Sequence, residues 1–424
     1  MVCEEVAPDN EFFGIMLPYA PIHHLLLREP LRAVVATSGN ISEEPIVRTN
    51  QEALSRLRGI ADYFLMHNRE IHQRVDDSVI RVVGEVASFI RRSRGYAPMP
   101  VFLDSRLKGL PPALGVGGEL KNTFCLLRQN QAFLSQHIGD MENLETYEYF
   151  LSALEGLKRL LSVEPQVVGY DMHPLYLTTS YAMELSQIQK VPVQHHHAHI
   201  VSCMAENGEM GPLIGVALDG TGYGADGTIW GGEILFSYLH SFERIGHLEP
   251  VRVISSDTTA KYPWKMALSL LFRSYGEGAV ELGRELLPNI EDQKIRLTVN
   301  ILRAGFNTIT CSSTGRLFDG IAALLGIRMK NAYEGQAPME LEMSQAKARV
   351  SPYEVALRSE GDKLVLLSSP ILEGVVRDIK EGRTRGIIAR RFHVSLVELL
   401  ARGVERACLL TGTKKVALSG GSFQ

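Results

Sequence analysis

Four histidines stand within five positions in the stretch VPVQHHHAHIVSCMAENG (Val191–Gly208): His195, His196, His197 and His199. VPVQ reads as a short strand, and HAHIVSCMAEN has helical periodicity. On a helix, His195 and His199 are i and i+4 and share a face; His196 and His199 are i and i+3. Two imidazoles one turn apart are a common clamp for a divalent metal, and the cluster also suits phosphate. A zinc protease needs a glutamate beside the first histidine as general base. His196 stands there, which argues against that chemistry. The plain alternative is a polar helix start whose histidines are satisfied by backbone and water.

The partner acid is Asp219, at the end of the buried strand predicted in LIGVALDGTGYG, where ligands gather in α/β sheets. It could instead cap its own loop. Gly220, Gly222 and Gly224 would let backbone N–H groups approach an anion closely. Asp319 lies inside the apolar helix of CSSTGRLFDGIAALLGI. A buried carboxylate needs a partner, either a ligand such as a ribose hydroxyl or a salt bridge to Arg316. In NAYEGQAPMELE, Glu334, Gly335 and Gln336 form a polar turn before a helix. Nearer the start, TSGN offers Ser38 and Asn40, and RRSRGYAP closes a hairpin with Arg91, Arg92 and Arg94. Forked guanidinium donors match phosphate oxygens. With the small polar donors beside them, a nucleotide pocket is the better reading than a solvated strand end.

The fold class expected is α/β, in two units. Residues 1–100 are read as one unit: a buried strand at Val34–Ala36 running into TSGN, a helix then a strand in QEALSRLRGIADYFLMHN, and a hairpin turning at Gly84-Glu85. Residues 101–112, bounded by Pro98, Pro100, Pro111 and Pro112, are the linker. Residues 113–424 form a larger unit with an internal echo. ALGVGGELKNTFCLLRQNQAFLSQ and LIGVALDGTGYGADGTIWGGEILF each read as strand, glycine loop, strand, tight turn and strand. This makes Gly117 and Gly118 the first-copy counterparts of the second glycine run. A helix (NLETYEYFLSALEGLKRLLSV) and an acid-ended strand (PQVVGYDMHP) follow the first copy. The stretch 257–357 is mostly helical, and KKVALSGG returns to a strand. Two related halves suggest a cleft with a phosphate loop on each side.

The chain has 424 residues, 45% hydrophobic and 22% charged, with a net charge of −4. Nothing there favours bulk binding to nucleic acid or an anionic membrane. No apolar run approaches a membrane span, and MVCEEVAPDNEFFG has no signal-peptide pattern. The five cysteines lack any CxxC pair, so a reducing cytoplasm is expected. Both ends read as cut, as in an internal piece of a longer protein.

In order along the chain, TSGNISEEPI, DDSVIRVV, RRSRGYAP, VQHHHAH, LDGTGYGADGTIWGGE, TGRLFDGIAALLGI, YEGQAPMELE and LSGGSFQ resemble the HypF family, the carbamoyltransferases of [NiFe]-hydrogenase maturation. The resemblance covers nearly the whole chain. It implies an α+β C-terminal part of a YrdC-like domain over the first hundred residues. A TsaD-like domain of the two-lobed actin/Hsp70/sugar-kinase fold follows. It also implies the reaction: carbamoyl phosphate and ATP yield a carbamoyl-adenylate, and the carbamoyl group passes to the C-terminal cysteine of a partner, HypE. On this resemblance His195, His199 and Asp219 would hold a divalent metal (Zn, Fe or Mg). Asp319 would hold the ribose, and Gly420 and Gly421 would line the adenine side. Ser38, Asn40 and Arg94 would lie on the adenylate-forming pocket. Gly117, Gly118, Gly220, Gly222 and Gly224 would serve the nucleotide.

The family's acylphosphatase domain, its CxxC zinc pairs and the first half of the YrdC-like domain have no counterpart here. A further metal-ligating Asp of the family would fall after Gln424. A chain lacking those parts can be inactive whatever its parent does. Two alternatives stand beside the leading one. Threonylcarbamoyl transfer to tRNA is disfavoured by Lys121 and Asn122, where the tRNA-modifying relatives carry acids, and by the lack of basic charge. An Hsp70-type nucleotide-dependent interaction module does not need the histidine cluster.

Overall fold

The computed structural model describes residues 3–8, 10–42 and 44–423. Glu43 and Gln424, which fall in two of the motifs above, lie outside the described residues. The chain divides into two compact units, Met1–Val191 and Pro192–Gln424.

The first unit opens with two short helices, α1 (Pro21–Leu26) and α2 (Asn50–Arg56), the second capped by Thr49 accepting from the Glu52 N–H. A two-stranded antiparallel ribbon follows, β1 (Val79–Val83) and β2 (Val86–Arg91). Its turn is Gly84-Glu85 with φ of 55° and 72°. Two successive left-handed residues make the tight turn whose twist matches its strands. Two strands expected here do not form. Val34 and Val35 are 58% and 77% exposed in extended chain, and no strand lies between residues 57 and 68. Short apolar runs become strands only where a ladder partner satisfies their N–H and C=O groups.

A six-stranded sheet then runs in the order β3 (Pro100–Phe102), β6 (Gln131–Leu134), β5 (Cys125–Arg128), β4 (Ala113–Gly115), β7 (Val167–Asp171), β8 (Gln189–Val193). Its strand β3 lies in the stretch read as a linker. The first copy of the echo is the β4–β5–β6 meander. Helix α3 (Leu144–Leu161) begins where Asn143 accepts from the Thr146 N–H at 2.8 Å and ends at Ser162 in the left-handed region. Its apolar stripe (Tyr149, Phe150, Ala153, Leu154, Leu157) packs with Leu114, Phe124, Leu126 and Val168 as the core. Helix α4 (Leu177–Glu184) packs on β7.

The second unit starts with α5 (His195–Glu206). Its sheet is centred on β9 (Leu213–Tyr223), paired antiparallel with β10 (Ile229–Ser237) and parallel with β16 (Val416–Ser419). β10 continues to β11 (Phe242–Leu248), then parallel β15 (Lys363–Leu367) and antiparallel β14 (Ala356–Glu360). β12 (Val251–Ile254) pairs β13 (Thr308–Cys311), which joins β10 at Ile229. LIGVAL reads as a continuous apolar run because a central strand is covered on both faces. Helices α6 (Ser256–Lys261), α7 (Pro263–Tyr275), α8 (Ala279–Leu286), α9 (Asp292–Ala304), α10 (Thr314–Leu324), α11 (Gln336–Met343), α12 (Ser369–Lys380) and α13 (Arg385–Thr411) complete the unit. Its core joins Ile234, Leu271, Ile321, Leu366 and Phe392. Among the described residues no helix is long and apolar enough to cross a membrane.

One difference bears on the site. Gly220 and Gly222 were expected in a loop, but β9 continues through them to Tyr223. Its ladder with β10 is interrupted between Trp230 and Gly232, and Gly222 pairs Trp230 beyond the break.

Candidate functional site

Helix α5 is started by Gln194, not by a histidine. The Gln194 Oε1 accepts the His197 N–H at 2.9 Å, and its Nε2 donates to the Tyr223 carbonyl at 3.0 Å. The same Nε2 lies 3.2 Å from His196 Nδ1. Both carboxamide atoms are fixed by backbone partners, so His196 Nδ1 is the acceptor and its hydrogen is on Nε2. That Nε2 is buried and has no partner. Burial, with His195 next to it, holds His196 well below the ordinary imidazole range. His197 points elsewhere. Its Nε2 is 2.8 Å from the Tyr238 carbonyl and its ring lies on Phe242.

The i, i+4 pair behaves differently. His195 Nε2 and His199 Nε2 stand 3.1 and 3.2 Å from the same oxygen, Oδ2 of Asp219. The other oxygen, Oδ1, accepts the Gly220 N–H at 2.8 Å. One ligand atom from each of the three residues lies within 4.8 Å of the others. Two imidazole nitrogens and a carboxylate oxygen at that spacing fit a divalent cation. Burial alone would raise the Asp219 carboxyl, but the hydrogen bonds to both histidines hold it well below the usual carboxylate range.

The glycines make room for the protein's own side chains. A Cβ at 222 would stand 2.3 Å from His196 Cε1; one at 224 would stand 2.3 Å from the Trp230 Nε1. Gly220 lies under the first turn of α10, where a Cβ at Gly315 would come within 2.7 Å of the Gly220 Cα. At the end of β16, Gly420 has φ of 109° and a Cβ there would strike the Leu218 carbonyl at 2.2 Å. A Cβ at Gly421 would stand 3.0 Å from Asp219 Oδ1. Both glycines therefore sit beside the acid.

Asp319 is fully buried in α10, with Arg316 Nη2 3.0 Å from its Oδ2 and Asn331 Nδ2 3.3 Å from its Oδ1. Burial pushes its carboxyl up to about 6 against the pull of Arg316. Glu334 and Gly335 form the turn before α11, and Gln336 is its first residue.

The first unit holds the remaining candidates. Gly117 has φ of 77°, and its side-chain space is filled by the Thr123 carbonyl and Asn122; Gly118 offers its carbonyl to Asn122 Nδ2. Ser38 Oγ donates to Asn40 Oδ1 at 2.5 Å, and Asn40 Nδ2 donates to the Ile41 and Glu44 carbonyls. Arg94 is engaged by the Asp77 carboxylate (3.2 Å), the Tyr19 hydroxyl (2.7 Å) and the Val75 carbonyl (3.2 Å).

Sequence reasoning missed a buried ion-pair network. Glu233 is fully buried in β10 and accepts from Arg244 Nε at 2.7 Å and Ser312 Oγ at 2.6 Å. Arg244 also reaches Asp226 and stacks on Trp230, 4.0 Å from the ring centroid. The network borders a polar cavity of about 280 Å³ lined also by Thr228, His247 and Lys363. The signal was one acid in the apolar run IWGGEILF.

The family models place this fold in the class of Kae1-like carbamoyltransferase domains. Residues 215–424 match the family described as carbamoyltransferase, Kae1-like domain, second subdomain; residues 108–206 match the HypF Kae1-like domain. Residues 1–93 match the Sua5/YciO/YrdC family, described as telomere recombination. A carbamoyltransferase HypF of Synechocystis sp. is 40% identical over all of this chain and 56% of its own length. A carbamoyltransferase HypF homolog of Cupriavidus necator is 35% identical over 74% of this chain and 81% of its own length. A crystal structure of full-length HypF in the phosphate- and nucleotide-bound form superposes with a TM-score of 0.93 at 42% identity, covering 99% of this chain and 65% of that one. The HypF of T. kodakarensis gives 0.90 at 34%, over 99% and 55%. The chain belongs to the HypF family of carbamoyltransferases, and it spans about half the length of most curated relatives it matches.

Proposed function

We propose that this chain is the carbamoyl-transferring part of an ATP-dependent carbamoyltransferase of hydrogenase maturation, working in the cytoplasm. Carbamoyl phosphate and ATP supply a carbamoyl-adenylate, made at the YrdC-like part. The acceptor is the C-terminal cysteine of a HypE-type protein. In the transfer the thiolate attacks the carbamoyl carbon, the C–S bond forms, the C–O bond to phosphate breaks, and AMP leaves with the electron pair.

The observation that carries this reading is the convergence of His195, His199 and Asp219 at one point. A divalent metal held by these residues would act as a Lewis acid and phosphate clamp. The chain's own groups do the rest. The Gly220 N–H fixes one Asp219 oxygen, which leaves the other for the histidine side. Gln194 sets the His196 tautomer, so the ring offers a donor beside the cluster. Gly420 and Gly421 border the adenine, and Ser38, Asn40 and Arg94 serve adenylate formation; Asp319, fully buried on Arg316 and Asn331, acts through the Arg316 salt bridge and not as the ribose contact expected of it. Support comes from the HypF structure solved with phosphate and nucleotide and from relatives named carbamoyltransferases.

The test incubates the full-length parent with ATP, carbamoyl phosphate and the acceptor, and weighs the acceptor by mass spectrometry. A carbamoyl adduct on its C-terminal cysteine is expected; transfer to tRNA instead overturns the reading. Arg94→Ala should impair carbamoyl-phosphate-dependent exchange of pyrophosphate into ATP and spare transfer from preformed carbamoyl-adenylate. Equal loss of both steps would make Arg94 structural, which its bonds to Asp77 and Tyr19 would then explain.

A further inference from the structure

Helix α10 is seated directly on the Asp219–Gly220 peptide. Its N-cap, Ser313, accepts the Arg316 N–H at 3.1 Å. The same hydroxyl shares its hydrogen between the Asp219 and Gly220 carbonyls, at 2.9 and 2.7 Å. Arg316 follows in the first turn. Its side chain is 7% exposed, and a Cβ on Gly220 would stand 3.5 Å from its Nη2. Among the described residues only Nη2 is ion-paired, with Asp319. Nε and Nη1 are buried without an acceptor, and so is the Thr314 hydroxyl in the same turn.

This is an unusual way to bury a guanidinium. The group is always charged and carries five N–H donors. Buried charged donors left unmade are among the costliest defects a fold can carry. Arg244 shows the ordinary solution in the same unit: Glu233, Asp226 and Ser312 answer its three nitrogens. Arg316 has one carboxylate on one nitrogen. Its free donors lie at the start of an 11-residue helix, where backbone N–H groups and the dipole favour an anion. Nε and Nη1 lie on different edges of the planar fork, and Thr314 adds a third direction. Donors spread in this way suit the oxygens of a phosphoryl chain better than one planar carboxylate.

We propose that Arg316 and Thr314 bind phosphoryl oxygens of the nucleotide, so that α10 presents a phosphate contact beside the Asp219 cluster. The proposal rests on the nucleotide reading above and deepens it with a positioning residue for the transfer step.

The test is isothermal titration of the full-length parent and its Arg316→Gln and Arg316→Lys variants with pyrophosphate, ATP and adenosine. Arg316→Gln should lose at least roughly tenfold in affinity for pyrophosphate and ATP, the scale of hydrogen bonds to a charged group. Adenosine binding should be unchanged. Arg316→Lys, a point charge without the fork, should fall between. Unaltered pyrophosphate and ATP binding in both variants overturns the proposal, and so does an equal loss of adenosine. If Arg316→Gln does not fold, Arg316→Lys decides by the same criterion. Pyrophosphate binding that depends on Arg316, in a parent that binds neither ATP nor adenosine, would refute the nucleotide reading and overturn the proposal as a nucleotide contact, leaving Arg316 a phosphate contact only. A parent that binds none of the three refutes both.

Discussion

The imidazole of His196 fills the space where a side chain at Gly222 would begin: a Cβ there would stand 2.3 Å from its Cε1 and 2.9 Å from His195 Cδ2. His196 is fully buried and cannot step aside. Gly222→Ala should therefore push α5 off β9, displace His195 and weaken divalent-metal binding by roughly tenfold or more, at about 1–3 kcal/mol of stability from overpacking. Metal titration alongside urea denaturation checks this. Unchanged metal affinity would mean the ring moves without the ligand.

His195→Ala and His199→Ala should each lower metal affinity at least roughly tenfold, the scale seen even for groups that only support a ligand. His197→Ala should hold metal nearly as the parent does. It instead loses the contact to the Tyr238 carbonyl and the packing on Phe242, with about 1–3 kcal/mol of stability. Metal analysis with calorimetry separates the three. Equal loss in His197→Ala and His199→Ala would sink the division of roles.

Arg244→Ala should leave the Glu233 carboxylate buried without its counter-charge and cost about 3–5 kcal/mol. The double change Glu233→Gln, Arg244→Met should recover much of that. Denaturant midpoints decide, and a single-variant loss under about 1 kcal/mol, the size of an exposed pair, would show the network to be dispensable.

Burial pushes the Glu119 carboxyl from 4.5 up to about 7; the acids Glu142, Asp140 and Asp171 add to the rise, and the Leu177 N–H opposes it. A carboxyl raised on folding favours the native state when protonated. Its contribution is whole below the unfolded value of 4.5 and is lost as pH rises through about 7. Glu119→Gln stays neutral, and its carbonyl oxygen can still accept from Leu177. The variant should match the parent near pH 4 and exceed it in stability above about pH 8. Urea midpoints across that range test it; parallel curves would refute the shift.

The metal-type cluster was legible because half of its geometry is local: i, i+4 histidines share a helix face, and the acid lies on the very next strand, on which that helix packs. The meaning of the glycines was not. A glycine says that a Cβ is not tolerated and is silent on what stands there; at 222 and 224 it is His196 and Trp230. Val34–Ala36 misled for the opposite reason, since a strand depends on a ladder partner and none among the described residues pairs with this run. The Glu233–Arg244 pair spans two strands, and only the lone acid in IWGGEILF hinted at it. Asp319 illustrates an alternative the residues could pose but not decide. The salt bridge to Arg316 is present, and it leaves the rest of that guanidinium unanswered.

Gln194 joins the start of α5 to the end of β9 through one carboxamide, while the Gly220 N–H sets the Asp219 carboxylate. The three donor atoms are thus positioned by bonds inside the polypeptide. An ion held at such a centre would bind without being coupled to folding, unlike a zinc finger that collapses on chelation. The ordering entropy of the ligands would be incurred when the chain folds and not when the ion arrives. A chelator should strip the ion reversibly from a protein that keeps its helices, so affinity there measures donor chemistry rather than the stability of the fold.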